Sequence, residues 1–388
     1  MTEGLEATAP KGTTMRGCRV VTTSLTARVL LANQLRTLDD VDWTVISGDA
    51  YPDPPTGVDV DVVPIRREFA LSDIRSFVQL VGAFRKGRYA FAQTHTPMAS
   101  FLGLPAARLT GTPAIYTMHG ALYFEGNGRA ANLLGWCFER WCCTWAQRVL
   151  VQSREDEQVL PKVRACSASK ITYLGNGIDM DRFLAPAAPA VTDERPIVVM
   201  VSRLVREKGC ADFLALAGAL SDRARFIHVG PFEHDQADAL SEAEVAAATA
   251  AGHVEFVGGV DDVMPWLAAA DLVVLPSYRE GIPRVAMEAA AMGRPVAGYD
   301  IRGMREVIQP STGLLVPRGD LSALIRLVTD LLDDRAGLVT LGETCGHHVR
   351  ATFSETRVIE RLRAVYAEMG RPRKMVAQGS PGPEKGTR

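Results

Sequence analysis

The chain has 388 residues, 47% of them hydrophobic and 23% charged, with a formal net charge of -2. That length is too great for one ordinary core and points to two domains. The near-neutral balance gives no field for nucleic acid, and the chain lacks the run of about eighteen apolar residues that a membrane-spanning helix needs.

Residues 1–15 are polar and patternless and read as a disordered tail. Arg19–Thr22 then reads as a strand, followed by a helix around Thr26–Leu38 and a strand at Trp43–Ser47. An amphipathic helix over Asp73–Arg85 precedes strands at Ala90–Thr94 and Ala114–Thr117. A long helix over Ala131–Ala146 leads to a strand at Arg148–Gln152. Pro186, Pro189 and Pro196 among alanines mark 181–196 as a linker. The pattern restarts with the wholly apolar strand Ile197–Val201, as in a sheet covered on both faces. Helix 209–220, strands 225–229 and 254–257, helix 262–269, strand 272–275, helix 284–292 and strand 295–298 follow. A last helix over Ser354–Met369 opens on Thr352-x-x-Glu355, a capping-box pattern. Residues 370–388 read as a second disordered tail. Alternation of this kind implies two doubly wound α/β halves, at 16–180 and 197–353. Ligands of such sheets bind beyond the C-terminal strand ends, here in a cleft between the halves.

Four constellations carry chemistry. Glu280 and Glu288 bracket the turn Gly281-Ile282-Pro283 and the start of an Ala-rich helix. Free backbone N–H groups at such a turn favour anions. One acid before them and one behind suit a ligand with hydroxyls at both ends and phosphates between. Glu288 sits among Ala286, Met287 and Ala289, where a carboxylate needs partners. Arg203, Arg206 and Lys208 follow the apolar strand at the ligand edge and suit a diphosphate clamp, although a solvated loop explains them equally well. His119, in Tyr116-Thr117-Met118-His119-Gly120, ends a strand and points toward the cleft, although a plain turn histidine explains it slightly better; His95 is a weaker candidate of the same kind. Gly175-Asn176-Gly177 reads as a tight structural turn.

No metal site is expected. The seven cysteines form no Cys-x-x-Cys pair, and their odd count favours a reducing cytoplasm. Asp59-Val60-Asp61 and Asp40-Val41-Asp42 match an Asp-x-Asp pattern but follow no convincing ligand-side strand.

With these residues in hand, the chain resembles the retaining GT-B glycosyltransferases of family four, in the branch that builds bacterial surface polysaccharides. The match is carried by Val199–Arg203 with Lys208-Gly209, by Gly175–Asp179 and by Ala270–Ser277. It continues through Glu280–Pro283, Glu288-Ala289, Gly293–Val296, Arg302–Glu306 and Gly313–Val316. The resemblance implies two Rossmann-like domains and a final helix, 354–369, that crosses back onto the N-terminal one. It implies that Arg203 and Lys208 hold the donor diphosphate and that Gly281, Ile282 and Pro283 bring backbone close to it. It gives Glu288 the ribose, Glu280 the donor sugar and His119 the opposite wall. Two departures stand out. Thr22-Thr23-Ser24-Leu25 replaces the family's Gly-rich loop, with Ser24 as the donor contact there, and Gly230 is followed by Pro231-Phe232 instead of Gly-x-Gly.

The expected activity is transfer of a sugar from a nucleotide sugar, a UDP-sugar by preference, to a hydroxyl of a glycan or lipid-linked glycan, without cofactor or metal. The amphipathic stretch Ile74–Arg88 and the aromatic segment Trp136–Trp145 raise a peripheral membrane contact, weighed against plain core packing. The rivals are a nucleotide-sugar epimerase or sugar phosphorylase of the same fold, and a non-catalytic nucleotide-sugar-binding protein.

Overall fold

A computed structural model describes residues 15–123, 127–184, 189–232 and 238–370. The expected tails lie outside these residues apart from Met15 and Gly370, and so does Pro186 of the expected linker. Seven strands form the first sheet: β1 (Met15–Val21), β2 (Val41–Ser47), β3 (Asp59–Val62), β4 (Phe91–Thr94), β5 (Ala114–Met118), β6 (Arg148–Val151) and β7 (Ile171–Tyr173). Their order is β3-β2-β1-β4-β5-β6-β7, all parallel. The connections carry α1 (Ser24–Thr26), α2 (Ala32–Thr37), α3 (Asp73–Gly87), α4 (Pro97–Thr110), α5 (Arg129–Trp145) and α6 (Arg154–Lys162).

A short helix, α7 (Met180–Leu184), leads toward the second sheet. That sheet holds β8 (Ile197–Val201), β9 (Arg225–Val229), β10 (Glu255–Gly258), β11 (Leu272–Leu275), β12 (Val296–Asp300) and β13 (Leu315–Pro317). Its order is β10-β9-β8-β11-β12-β13, again parallel. Around it lie α8 (Cys210–Leu220), α9 (Glu242–Ala250), α10 (Met264–Ala269), α11 (Arg284–Ala291), α12 (Arg302–Val307), α13 (Leu321–Asp333) and α14 (Arg335–Thr352). Strand order reverses beside β1 in one sheet and beside β8 in the other. The crevice at such a switch point is the ligand side. The loops after β4, β5, β8 and β11 therefore converge on the space between the sheets.

The last helix, α15 (Glu355–Met369), buries Val358, Ile359, Leu362, Val365 and Tyr366. That spacing makes one apolar face, and it packs on the first sheet against Val21, Trp43, Val45 and Phe91. Tyr366 stacks on Phe91 at 4.4 Å and meets Trp43 edge-on. Its hydroxyl bonds Gln93 and accepts from Arg19 Nη2 at 3.0 Å. Arg19 is fully buried in β1, its guanidinium 4.5 Å from the Trp43 ring and bonded to Gln34 Oε1. A buried cation in a central strand is sustained only by such partners.

Several expectations need correction. The helix around Thr26–Leu38 is interrupted by a π-helical turn at Ala27–Leu31 between α1 and α2. The capping box at Thr352 and Glu355 does not form. Ser354 is the N-cap without a side-chain bond, and Glu355 instead accepts from Asn33 Nδ2 at 2.6 Å. The observed capping box is Ser241 with Glu244, on α9. Helix α4 was not expected, because its nearly all-round burial leaves no amphipathic period. Asp59 and Asp61 lie on β3, at the edge of the first sheet.

Tyr366→Ala is expected to lower stability by about 3–5 kcal/mol through loss of the ring. Tyr366→Phe keeps the stack and removes one partner of Arg19, an effect of about 1–3 kcal/mol. Urea unfolding followed by tryptophan fluorescence measures both.

Candidate active site

The loop after β11 turns at Gly281 and enters α11 with Pro283 as N-cap. The first amides of α11 have no intrahelical partner and face the ligand side. Glu280 Oε2 accepts from Lys208 Nζ at 2.8 Å, and Glu280 Oε1 accepts from Ser277 Oγ at 2.9 Å. Lys208 closes a 3₁₀ turn, Arg206–Lys208, in the loop after β8. That loop is stitched to the β11 loop: the Tyr278 amide donates to Glu207 O at 2.9 Å, and Arg279 pairs with Glu207. Gly209 is obligatory here, with φ +75° and a Cβ that would lie 1.9 Å from Pro276 O. Lys208 and Glu280, separate in the sequence reading, are thus one ion pair.

Glu288 is 6% exposed on the second turn of α11. Burial raises its pKa, and the Arg284 guanidinium one turn back opposes the rise while donating to Glu288 Oε1 at 2.9 Å. Its carboxylate therefore has a protein partner already. Arg203 lies in the loop directly after β8, half-buried.

His119 ends β5 on the opposite wall. Its Nε2 lies 3.2 Å from His95 Nδ1. Burial lowers the His119 pKa to about 4, against a hydrogen bond with Gln152 that raises it. Burial, then Arg19 and His119, hold His95 well below the usual range. Both imidazoles are neutral at pH 7. His119 can therefore hydrogen-bond a hydroxyl, but it adds no positive charge to a leaving group.

The two walls touch. A Cβ on Gly281 would lie 2.1 Å from His119 O, and one on Gly120 would lie 3.0 Å from Gly281 Cα. Around this contact open three spaces. One of about 270 Å³ is lined by His95, His119, Glu139, Lys208 and Glu280. A second, of about 160 Å³, includes Gln34, His119, Gln152, Asn176, Ile282 and Arg284. The third, of about 300 Å³, lies on the other side of Glu280 and carries Arg279, Arg302, Arg305 and Arg318 with Glu155 and Asp300.

Of the expected residues, Glu280, Lys208, Gly281, Ile282 and His119 are brought together at these spaces. Arg203, Ser24, Pro283 and Glu288 line none of the three. The Ser24 amide is taken by Asp49 Oδ1, and Leu30, Leu31 and Gln34 from the next turns face the second space instead. Gly230, with φ +151°, packs on Ser202 O, where a Cβ would lie at 1.7 Å. Sequence reasoning missed Glu139, Asp156 and the role of Arg302. Glu139 gave one signal, an acid inside an aromatic helix, whereas Asp156 is hidden in the charged run Arg154–Glu157 and Arg302 gave none. Among the described residues, no group of three His, Cys, Asp or Glu side chains could hold a metal ion, and no helix is long and apolar enough to cross a membrane.

Comparison with known proteins follows this geometry. Residues 29–182 match the Glycosyltransferase Family 4 model, and residues 195–334 match the model for glycosyl transferases group 1. A capsular polysaccharide biosynthesis glycosyltransferase of Staphylococcus aureus is 24% identical over 79% of this chain and 84% of its own length. A UDP-Gal:α-D-GlcNAc-diphosphoundecaprenol α-1,3-galactosyltransferase of Escherichia coli is 24% identical over 77% of this chain and 80% of its own. Among solved structures, Anabaena HepE in complex with UDP-glucose superposes with a TM-score of 0.75 at 17% identity, covering 91% of this chain and 100% of that one.

Because His119 is held near 4 while an unfolded histidine titrates near 6.5, the unfolded chain binds more protons between these values. Its contribution to stability is present above 6.5 and is lost as pH falls toward 4. Replacing His119 with Gln is expected to flatten the fall of melting temperature over that interval. An unchanged slope in a differential scanning series would mean that His119 titrates as an exposed group.

Proposed function

Since the chain belongs to the family-four, group 1 glycosyltransferases, we propose that it moves a sugar from a UDP-sugar to a hydroxyl of a glycan or lipid-linked glycan, with retained anomeric configuration and no metal, in polysaccharide or glycoconjugate biosynthesis. The observation that carries this reading is the Lys208–Glu280–Ser277 cluster at the free amides of α11, facing His119 across the Gly120–Gly281 contact. The Escherichia coli relative is named for a UDP-sugar donor and a diphosphoundecaprenol acceptor, and the Anabaena structure contains UDP-glucose.

In this reading the bond from the sugar C1 to the phosphate oxygen breaks as the acceptor oxygen bonds C1; charge collects on the departing diphosphate, whose freed oxygen takes the acceptor hydroxyl's proton. Lys208, Arg203, the Ile282 amide and the first amides of α11 offset that charge. Gly281 leaves the backbone bare there for close approach. Glu288 binds the ribose, exchanging part of its bond to Arg284 for hydroxyl donors. Glu280 accepts from the donor sugar hydroxyls, and His119 holds the sugar from the other side as a neutral hydrogen-bond partner. Ser24 is a donor contact only if the loop after β1 rearranges on binding.

A panel of UDP- and GDP-sugars read by thermal shift is expected to single out a UDP-sugar, since a ligand at 100 times its Kd adds about 2.7 kcal/mol to the folded state. Glu280→Gln and Lys208→Ala are each expected to reduce UDP release by about 10²–10³-fold with the melting temperature retained, and EDTA to leave it unchanged. Full activity in both variants would remove the site assignment. Conversion of the donor with no acceptor present would favour an epimerase, and binding without UDP release from any acceptor a non-catalytic role.

A membrane-side acceptor has its own support. Phe69, Leu71, Ile74 and Val78 are 66%, 93%, 72% and 63% exposed on α3 and the turn before it. Arg66, Arg67, Arg75, Arg85 and Lys86 stand exposed around them. Trp136 is instead held inward, its Nε1 donating to Val163 O at 2.8 Å. Apolar anchors with basic flanks suit an anionic bilayer surface, here the inner face of the cell membrane. The chain is expected to float with anionic liposomes, and Leu71→Glu with Ile74→Glu to abolish this; no flotation of the wild type would exclude the surface role.

A further inference from the structure

Two buried carboxylates lie behind the loop that carries His119, and the donor site described above uses neither. Glu139, on α5, is fully buried. Its Oε1 accepts from the Leu122 amide at 3.0 Å, and its Oε2 accepts from the Tyr116 hydroxyl at 3.0 Å. Asp156, in the first turn of α6, is equally buried, and its carboxylate takes the Ala121 amide. Residues 121 and 122 follow His119-Gly120 directly. This short loop therefore hangs from two carboxylates on two different helices. Glu139 forms part of the wall of the 270 Å³ space, but both of its oxygens are already bonded.

Two neighbouring buried carboxylates need a cation, because an uncompensated charge in the interior is strongly destabilising. The cation comes from the other half of the molecule. Arg302, at the start of α12, donates from Nη1 to Asp156 Oδ1 at 2.7 Å and from Nε to Glu155 Oε1 at 3.3 Å. Arg305 reaches the other oxygen of Glu155 at 3.3 Å. On the same helix, Glu306 accepts from the Arg154 and Glu155 amides at 2.7 and 3.2 Å, completing the N-terminus of α6, where Ser153 Oγ takes the Asp156 amide. These contacts cross the seam between the two sheets and exist only while the halves are together.

We propose that Glu139 and Asp156 are positioning residues that hold the loop 119–122 in its working place, and that Arg302, arriving with the second half, is the charge that makes their grip tight. The inference rests on reading the cleft as the transfer site. With the cleft closed, Arg302 balances the pair. With the cleft open, Arg302 is withdrawn, the two buried acids face each other, and one of them takes up a proton. A neutral carboxyl accepts more weakly from a backbone amide than a carboxylate does, so the loop bearing His119 slackens. The loop is thus ordered when the two walls meet.

The charge balance gives the sign. The groups facing Glu139 are Tyr116 on β5, Cys142 and Cys143 on the next turn of α5, Asp156 on α6, Cys166 in the loop after α6, and Arg302. Burial raises the Glu139 pKa to about 7; the Leu122 amide and the Tyr116 hydroxyl oppose this, Asp156 adds to it and Arg302 lowers it. Removing Arg302 therefore moves the titration to higher pH. The gripping form is the ionised one, so its loss on acidification begins at higher pH in that variant.

The test uses the full chain as wild type, Glu139→Gln, Arg302→Gln and Arg302→Lys, each first checked for a retained melting transition. The Ala121 and Leu122 amide resonances are followed from pH 5.5 to 9. In the wild type Leu122 is expected to titrate near the value of about 7 given for Glu139. Arg302→Gln is expected to move that midpoint up, Arg302→Lys to return it toward the wild type, and Glu139→Gln to abolish it. UDP release from the sugar donor picked out by thermal shift is expected to fall about tenfold or more in kcat for Glu139→Gln and Arg302→Gln, with donor KM unchanged. In Arg302→Gln the acid limb of kcat is expected to lie at higher pH. An unmoved midpoint in Arg302→Gln, a Leu122 resonance indifferent to Glu139→Gln, or a loss confined to KM would overturn the proposal. If Glu139→Gln does not fold, the two Arg302 variants decide alone. Should the wild type release no UDP from any donor, the transfer reading fails while the resonance arm still judges the loop.

Discussion

Two backbones meet inside the cleft with no room for a side chain between them. The Gly281 turn of one half lies against the His119 carbonyl of the other, and Gly120 and Gly303 press on the same turn. Any Cβ at Gly281 would force the halves apart, because the atom it would meet is backbone and cannot swing away. Most of the chemistry around the cleft depends on this approach. It brings the free amides of α11 to the histidine wall and divides the cleft into the spaces around Glu280. It also carries Arg302 to its carboxylates.

Charge along the seam follows from that closure. Acids withdrawn from solvent recur on both sides: buried Glu139 and Asp156 on the first half, buried Glu288 and half-buried Glu280 on the second. Each is matched by a cation or a backbone donor: Arg302 for Asp156, Lys208 for Glu280, Arg284 for Glu288. Such pairs contribute little net stability, since desolvation offsets most of their attraction. Their effect is on geometry, because each fixes a loop or a helix end at the ligand side. The apolar work of the fold is done elsewhere, on the two covered faces of each sheet and by α15, whose Tyr366 also partners the buried Arg19.

Much of the fold was legible in the chain. Strands such as Ile197–Val201 and Leu272–Leu275 are short, wholly apolar and bounded by turn residues, so their type and register in the βαβ rhythm are local properties. Helix α4 was not legible, since its burial is nearly all-round and its pattern has no face. The capping box at Thr352 matched in letters and failed in space, because Glu355 is drawn to Asn33, 322 residues away. The site was half legible. Glu280, Lys208 and His119 sit on loops at strand ends, where chemistry-bearing residues stand out. Glu139 did not stand out, because it lies inside an aromatic helix that read as core.

The sequence by itself determined the α/β class, the two halves and the last helix, because hydrophobic period and turn residues act over a few positions; that this helix returns to the first half was implied only by the resemblance its motifs carry to family-four glycosyltransferases. Only the tertiary structure decided which of those residues meet. Lys208 pairs with Glu280 across 72 residues, Arg302 with Asp156 across 146, and Gly281 touches His119. Such partners depend on strand order in each sheet and on closure of one half against the other. No local pattern encodes either, so the turn first seen between Glu280 and Glu288 acquires its opposite wall only when the two sheets are brought together.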